Sequence, residues 1–150
     1  MPVRIGLIHS VLPAINAVEA MFEKHWPDAQ RASLFDQSLY LDLNPDRSMP
    51  PIVFERVADL VRHSYKTGAD AILCTGSLFG AAIESTRQDI DIPVLTSFEA
   101  LIETAFEQGN KFALIATDPG TNKTLSNDLE RYAAVHCKPL ETEAIFVDNA

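Results

Sequence analysis

DAILCTGSLFGAAIE, residues 70–84, is the stretch on which the fold of this chain turns. Ala71 to Cys74 is an apolar run of strand length without polar alternation, as a strand buried on both faces of a parallel sheet should be. Thr75-Gly76-Ser77 interrupts it, and a helix is predicted from Ser77 to Arg87. A strand that gives way to a hydroxyl-bearing turn and then a helix is a βα junction. In open α/β sheets, ligands bind beyond the carboxyl ends of the strands. The turn after Cys74 is therefore the first place to look for an active site.

The same alternation extends in both directions. Upstream, Val3 to Ile8 reads as a strand. Pro13 suits the first turn of a helix, with Ile15, Val18 and Phe22 on one face to about His25. Ala32 to Phe35 is a short second strand, and Asp42 to Pro51 a polar, proline-rich loop. A helix follows with Val53, Val57, Leu60 and Val61 on its core face, closed by Gly68. Downstream, Val94 to Thr96 is a strand and Phe98 to Gln108 a helix ended by Gly109. Phe112 to Ala116 is a strand, Pro119 opens a helix to about Ala133, and Ala144 to Val147 is a last strand. About five strand–helix alternations predict a Rossmann-like or flavodoxin-like α/β fold, a mainly parallel sheet with helices on both faces. The division expected is a first α/β domain over 1–97 and the start of a second, similar one over 98–150. An ending on a strand leaves that last unit uncovered. The expectation is a truncated chain, or one completed by a partner, with a homo-oligomer left open.

Composition narrows the function classes. Apolar residues make up 47% of 150 and charged residues 22%, enough for a packed core. A net charge of −9 repels phosphate, so neither nucleic acid nor an anionic membrane surface is an expected partner. A small anion is not excluded, because a helix terminus reverses the field locally. No signal peptide or membrane span is read. Two cysteines make no disulfide framework, and reduced thiols fit the cytoplasm.

Three loops could carry chemistry. Cys74 lies where a helix dipole and backbone N–H groups would lower a thiol pKa and favour the reactive thiolate. Against this, Cys74 reads equally as a small core residue and Ser77 as a helix cap. Thr75 and Ser77 could hold a carboxylate. His9-Ser10 follows the first strand; His9 could act as acid or base but reads rather as a hydrogen-bonded structural residue, and Ser10 as a donor to a substrate oxygen or a loop serine. Thr117-Asp118-Pro119-Gly120-Thr121 could bind a carboxylate or phosphate, although Asp118 before Pro119 reads more simply as a cap. No P-loop, dinucleotide fingerprint, GxSxG elbow or metal-ligand spacing occurs. Cys137 falls at the amino-terminal side of a strand and reads as structural.

IGLIHS, LFDQSLY, GADAILCTGSLFGAAIE, IPVLTSFEALIETA and FALIATDPGT, in this order, resemble the aspartate/glutamate/hydantoin racemase superfamily, which includes arylmalonate decarboxylase and maleate isomerase. The resemblance implies two similar α/β domains, no cofactor, and a small carboxylate-bearing substrate. It implies proton abstraction and return beside a carboxylate or carbonyl, as in an amino-acid or hydantoin racemase, with two facing cysteines. Carried over, Cys74 is the candidate catalytic base. Ser10, Tyr40, Thr75, Gly76, Ser77, Thr117 and Thr121 are candidate substrate-binding residues. Aligned on Phe79-Gly80, however, the family cysteine falls on Gly76, as in the decarboxylase branch, and the second cysteine would lie beyond position 150. The alternatives are a non-catalytic carboxylate-binding member, a decarboxylase-type member, or a flavodoxin-like phosphate binder.

Overall fold

The computed structural model describes residues 2–117 and 119–147, with Pro119 described in its backbone alone. Backbone contacts divide the chain into two compact units, Met1–Ser97 and Phe98–Ala150.

The first unit runs β1 (Arg4–His9), α1 (Leu12–His25), β2 (Gln30–Phe35), α2 (Ser38–Leu41), α3 (Pro51–Lys66) and β3 (Ala71–Cys74). A 3₁₀ turn (Ser77–Phe79), α4 (Gly80–Thr86), a second 3₁₀ turn (Arg87–Asp89) and β4 (Val94–Leu95) complete it. The sheet order is β2-β1-β3-β4 and every pair is parallel.

Strand alternation sends side chains to two different helix layers. Ile5 and Leu7 pack with Val18 and Phe22 of α1 on one face. Ile8, Ile72 and Cys74 pack on the other face among Val53, Val57 and Val61 of α3 and Ala82 and Ile83 of α4. The three valines recur every fourth residue, so one stripe of α3 is buried. Each fully buried valine contributes about 1.5–3 kcal/mol of transfer free energy. Pro51 sits in the first turn of α3, where its missing N–H costs nothing. The helix ends at Thr67, and Gly68 turns the chain into β3 at a φ of +84°.

The second unit contains α5 (Glu99–Gln108), β5 (Lys111–Ala116), α6 (Pro119–Val135) and β6 (Glu141–Phe146). β5 and β6 pair in parallel from Lys111↔Glu141 to Ala116↔Phe146. Ile102, Phe106, Leu114, Leu129 and Ala133 form its core.

The parallel sheet with helices on both faces is the expected class. Several boundaries differ. β2 begins at Gln30 and β6 at Glu141, earlier than their apolar runs. Each pairs with a single neighbour, and such a strand tolerates the polar residues that hid its start. The helix expected from Ser77 opens as a 3₁₀ turn, and its α-helical part spans Gly80–Thr86. α2 had no periodic signal at four residues. Asp118, expected as a cap, lies outside the described residues. Among the described residues no helix is long and apolar enough to cross a membrane.

Candidate functional site

The order β2-β1-β3-β4 reverses direction at β1: the chain leaves β1 for β2 on one side and returns to β3 on the other. A sheet opens a crevice at such a switch point, outside the carboxyl ends of the two diverging strands. Here those ends are His9-Ser10 and Thr75-Gly76-Ser77. The register Ile8↔Cys74 brings the following residues alongside one another.

The contacts follow from that register. The Thr75 N–H donates to the Ile8 carbonyl at 3.0 Å. The Thr75 hydroxyl lies 3.3 Å from the same oxygen and 3.0 Å from His9 Nδ1. His9 is fully buried, and among the described residues its Nε2 has no hydrogen-bond partner. Burial pushes the His9 pKa down, more than the charge of Glu19 pulls it up, so the ring is neutral near pH 7. Ser10 is 2% exposed and, among the described residues, its Oγ also has no partner. That hydroxyl lies 2.9 Å from the point a Cβ on Gly76 would occupy.

Gly76 is a glycine for a steric reason. A Cβ there would stand 2.4 Å from Cδ2 and 2.7 Å from Cε2 of Phe79, whose ring is fully buried. Tyr40, half-buried, reaches the same ring edge-on, with centroids 5.7 Å apart. The second-strand loop is thereby tied to the turn.

Cys74 corrects the expectation of an activated thiol. It is 1% exposed, shares the Ile72 face of β3 and belongs to the core cluster with α3 and α4. Burial pushes its pKa up to about 11, against a smaller lowering by a hydrogen bond from the Gly76 N–H. Desolvation disfavours the thiolate. The turn's backbone is also less available than expected: the Thr75 N–H goes to Ile8 and the Gly76 N–H to Cys74. The side-chain donors of the turn are the Ser77 hydroxyl and the Thr75 hydroxyl, the latter shared with the Ile8 carbonyl and His9. Ser77 is half-buried and does not cap a helix; the cap position is Gly76, and no side chain bonds the N–H groups behind it.

One cluster had no signal in the sequence. Arg56 on α3 binds Asp36 at 2.8 Å and Asp42 at 2.6 Å, and also meets the Ser38 hydroxyl, which bonds Asp36 in turn. Burial raises the Asp36 pKa, but hydrogen bonds from Ser38 and Arg56 and the guanidinium charge outweigh it and hold the carboxyl below its usual value. Partners 20 residues apart on a loop and a helix leave no periodic trace.

Thr117 is exposed just after β5, and Thr121 is half-buried in the first turn of α6. Both belong to the second unit, at the carboxyl end of its sheet. Among the described residues no three His, Cys, Asp or Glu side chains gather as a metal ion would require.

The model of the Asp/Glu/hydantoin racemase family matches residues 11–148. Among solved structures, glutamate racemase from Aquifex pyrophilus is similar at 18% identity and a TM-score of 0.67, over 94% of this chain and 54% of that one. Unliganded arylmalonate decarboxylase is similar at 20% identity and a TM-score of 0.61, over 98% of this chain and 64% of that one. The chain thus spans less than two thirds of either structure's length, and at these identities the likeness concerns the fold. No curated protein sequence matches.

Proposed function

The chain belongs to the Asp/Glu/hydantoin racemase family, and from that premise we propose that it holds the carboxylate of a small substrate at the β1–β3 switch point, in an enzyme that moves a proton at the adjacent carbon. The observation that carries this reading is Ser10. A buried hydroxyl without a partner costs about 1–3 kcal/mol, and Ser10 Oγ is such a group, beside Gly76 just past the carboxyl end of β1. Thr75 and Ser77 add two more hydroxyls on the same turn. Donors placed in advance stabilise charge that develops as a proton leaves a carbon next to a carboxylate. The reaction needs no cofactor. Substrates of the amino-acid or hydantoin type fit the family. The two free thiols, Cys74 and Cys137, suit a cytoplasmic protein.

Cys74 is not the base in this reading, because a core thiol with a raised pKa meets no substrate; the proton passes instead to the facing cysteine that the family resemblance implies, a base the described residues of this site do not supply. A second reading follows from the same fact. With Cys74 in the core and a glycine at 76, the first unit offers no thiolate. The protein then either protonates from one face alone, as a decarboxylase-type member, or binds carboxylates without turnover.

The test is deuterium incorporation at Cα, followed by NMR in D₂O, across amino acids, hydantoins and malonates. Exchange with any of them supports the enzyme reading. Saturable calorimetric binding without exchange selects the binding reading, and neither binding nor exchange across the panel overturns both.

A further inference from the structure

Thr75 has one hydroxyl proton and two neighbours competing for it. Its oxygen lies 3.3 Å from the Ile8 carbonyl and 3.0 Å from His9 Nδ1. Its backbone N–H is already committed to Ile8. The hydroxyl is therefore the donor Thr75 has left to offer an arriving anion, and its use depends on which neighbour holds the proton. Resting on the carboxylate reading above, we propose that His9 is a positioning residue for Thr75: its Nδ1–H holds the threonine oxygen and leaves the hydroxyl proton for the substrate carboxylate.

The geometry supports this division. A hydroxyl that donates to the Ile8 carbonyl cannot also donate to His9, so Nδ1 carries the proton and Oγ1 accepts it. At 3.3 Å the contact with Ile8 is longer than a usual O–H···O bond, so it is given up readily when a charged oxygen arrives. The shorter contact with His9 remains and fixes the oxygen while the proton turns. Full burial of the ring fixes the donor in turn. Nε2, bare in this tautomer, is the atom left without a partner. In the reverse tautomer the hydroxyl would donate to Nδ1 and a buried Nε2–H would be left unpaired, so Thr75 would have no proton to offer an anion.

The experiment uses malonate as the probe. Calorimetric titration is run on the wild-type chain and on His9→Asn, His9→Leu, Thr75→Val and the His9→Leu/Thr75→Val double variant, with thermal unfolding checked on each. An asparagine amide can stand where Nδ1–H stood, so His9→Asn should bind within about threefold of wild type. His9→Leu and Thr75→Val should each weaken binding about tenfold, the scale of one hydrogen bond to a charged group. The double variant should be no weaker than Thr75→Val alone, since His9 acts through Thr75. Unchanged binding in His9→Leu, or an undiminished further loss in the double variant, overturns the proposal. Nitrogen NMR of the wild-type ring gives a readout that needs no variant: the Nδ1–H tautomer is expected, and an Nε2–H tautomer overturns it. Failure of the wild-type chain to bind malonate or any small carboxylate would instead overturn the reading beneath it, with the tautomer still in view.

Discussion

At Gly76 the absence of a side chain leaves room for Phe79 and Ser10. Adding one methyl group puts a Cβ 2.4 Å from a ring atom of a core phenylalanine, and buried aromatics do not yield cheaply. Gly76→Ala should therefore destabilise by about 1–3 kcal/mol, the usual cost of overpacking. Adding Phe79→Leu should recover part of the loss in urea unfolding; a fully stable single variant would contradict the packing described. Cys74 makes a complementary prediction. With an alkylating thiol reagent at pH 8, Cys137, which is exposed, should react in the native protein, and Cys74 should react only on unfolding. The pKa of about 11 sets the sign: raised above the ordinary thiol value of 9.0, it means that the neutral thiol is the folded-state species through neutral pH. Folded-state stability from this group is present below pH 9 and lost as pH rises toward 11. Rapid alkylation of both thiols under native conditions would restore Cys74 as a candidate base.

At the scale of elements, the strands and helices that carry the core were legible, because their periodicity is the trace of burial. β3 was read at its observed limits, Ala71–Cys74, and the valine stripe of α3 sits where its spacing put it. Thr75-Gly76-Ser77 was legible as the turn at the strand's end. The direction of Cys74 was not. An all-apolar strand has no alternation to say which face a residue takes, and the shift of a thiol depends on what surrounds it. The Arg56 cluster was equally hidden, since an ion pair across 20 residues leaves no mark in a window. It fastens the segment after β2 to α3. Half-exposed ion pairs are worth little one by one, so Arg56→Met should cost about 1 kcal/mol at pH 7. Asp36 has a lowered pKa, so its contribution is present above its ordinary value of 3.8 and lost as pH falls below that. The gap between wild type and Arg56→Met in urea midpoint should shrink on going from pH 7 to below pH 3.8. A gap independent of pH would show that Arg56 acts through packing alone.

At the scale of the molecule, the order β2-β1-β3-β4 gives the residues their meaning. A histidine, a serine, a threonine and a glycine from two distant stretches of sequence come together because the chain reverses direction at β1 and aligns Ile8 with Cys74. Strand order is a tertiary property, so the sequence supplied the parallel class and the ends of the strands but not which ends would adjoin. The match over residues 11–148 places the chain in the Asp/Glu/hydantoin racemase family, and the class of reaction is what we propose from it. The claim that joins these facts is that the hydroxyls of Ser10, Thr75 and Ser77 bind a substrate carboxylate while a proton moves at the neighbouring carbon. It is tested most directly by deuterium exchange at Cα, compared between the intact wild-type protein and its Thr75→Val variant on the same substrate. The account predicts exchange in the wild type, and a fall of about 10²-fold in kcat/KM on loss of one preorganised donor. Exchange that proceeds at the same rate without the Thr75 hydroxyl would contradict it.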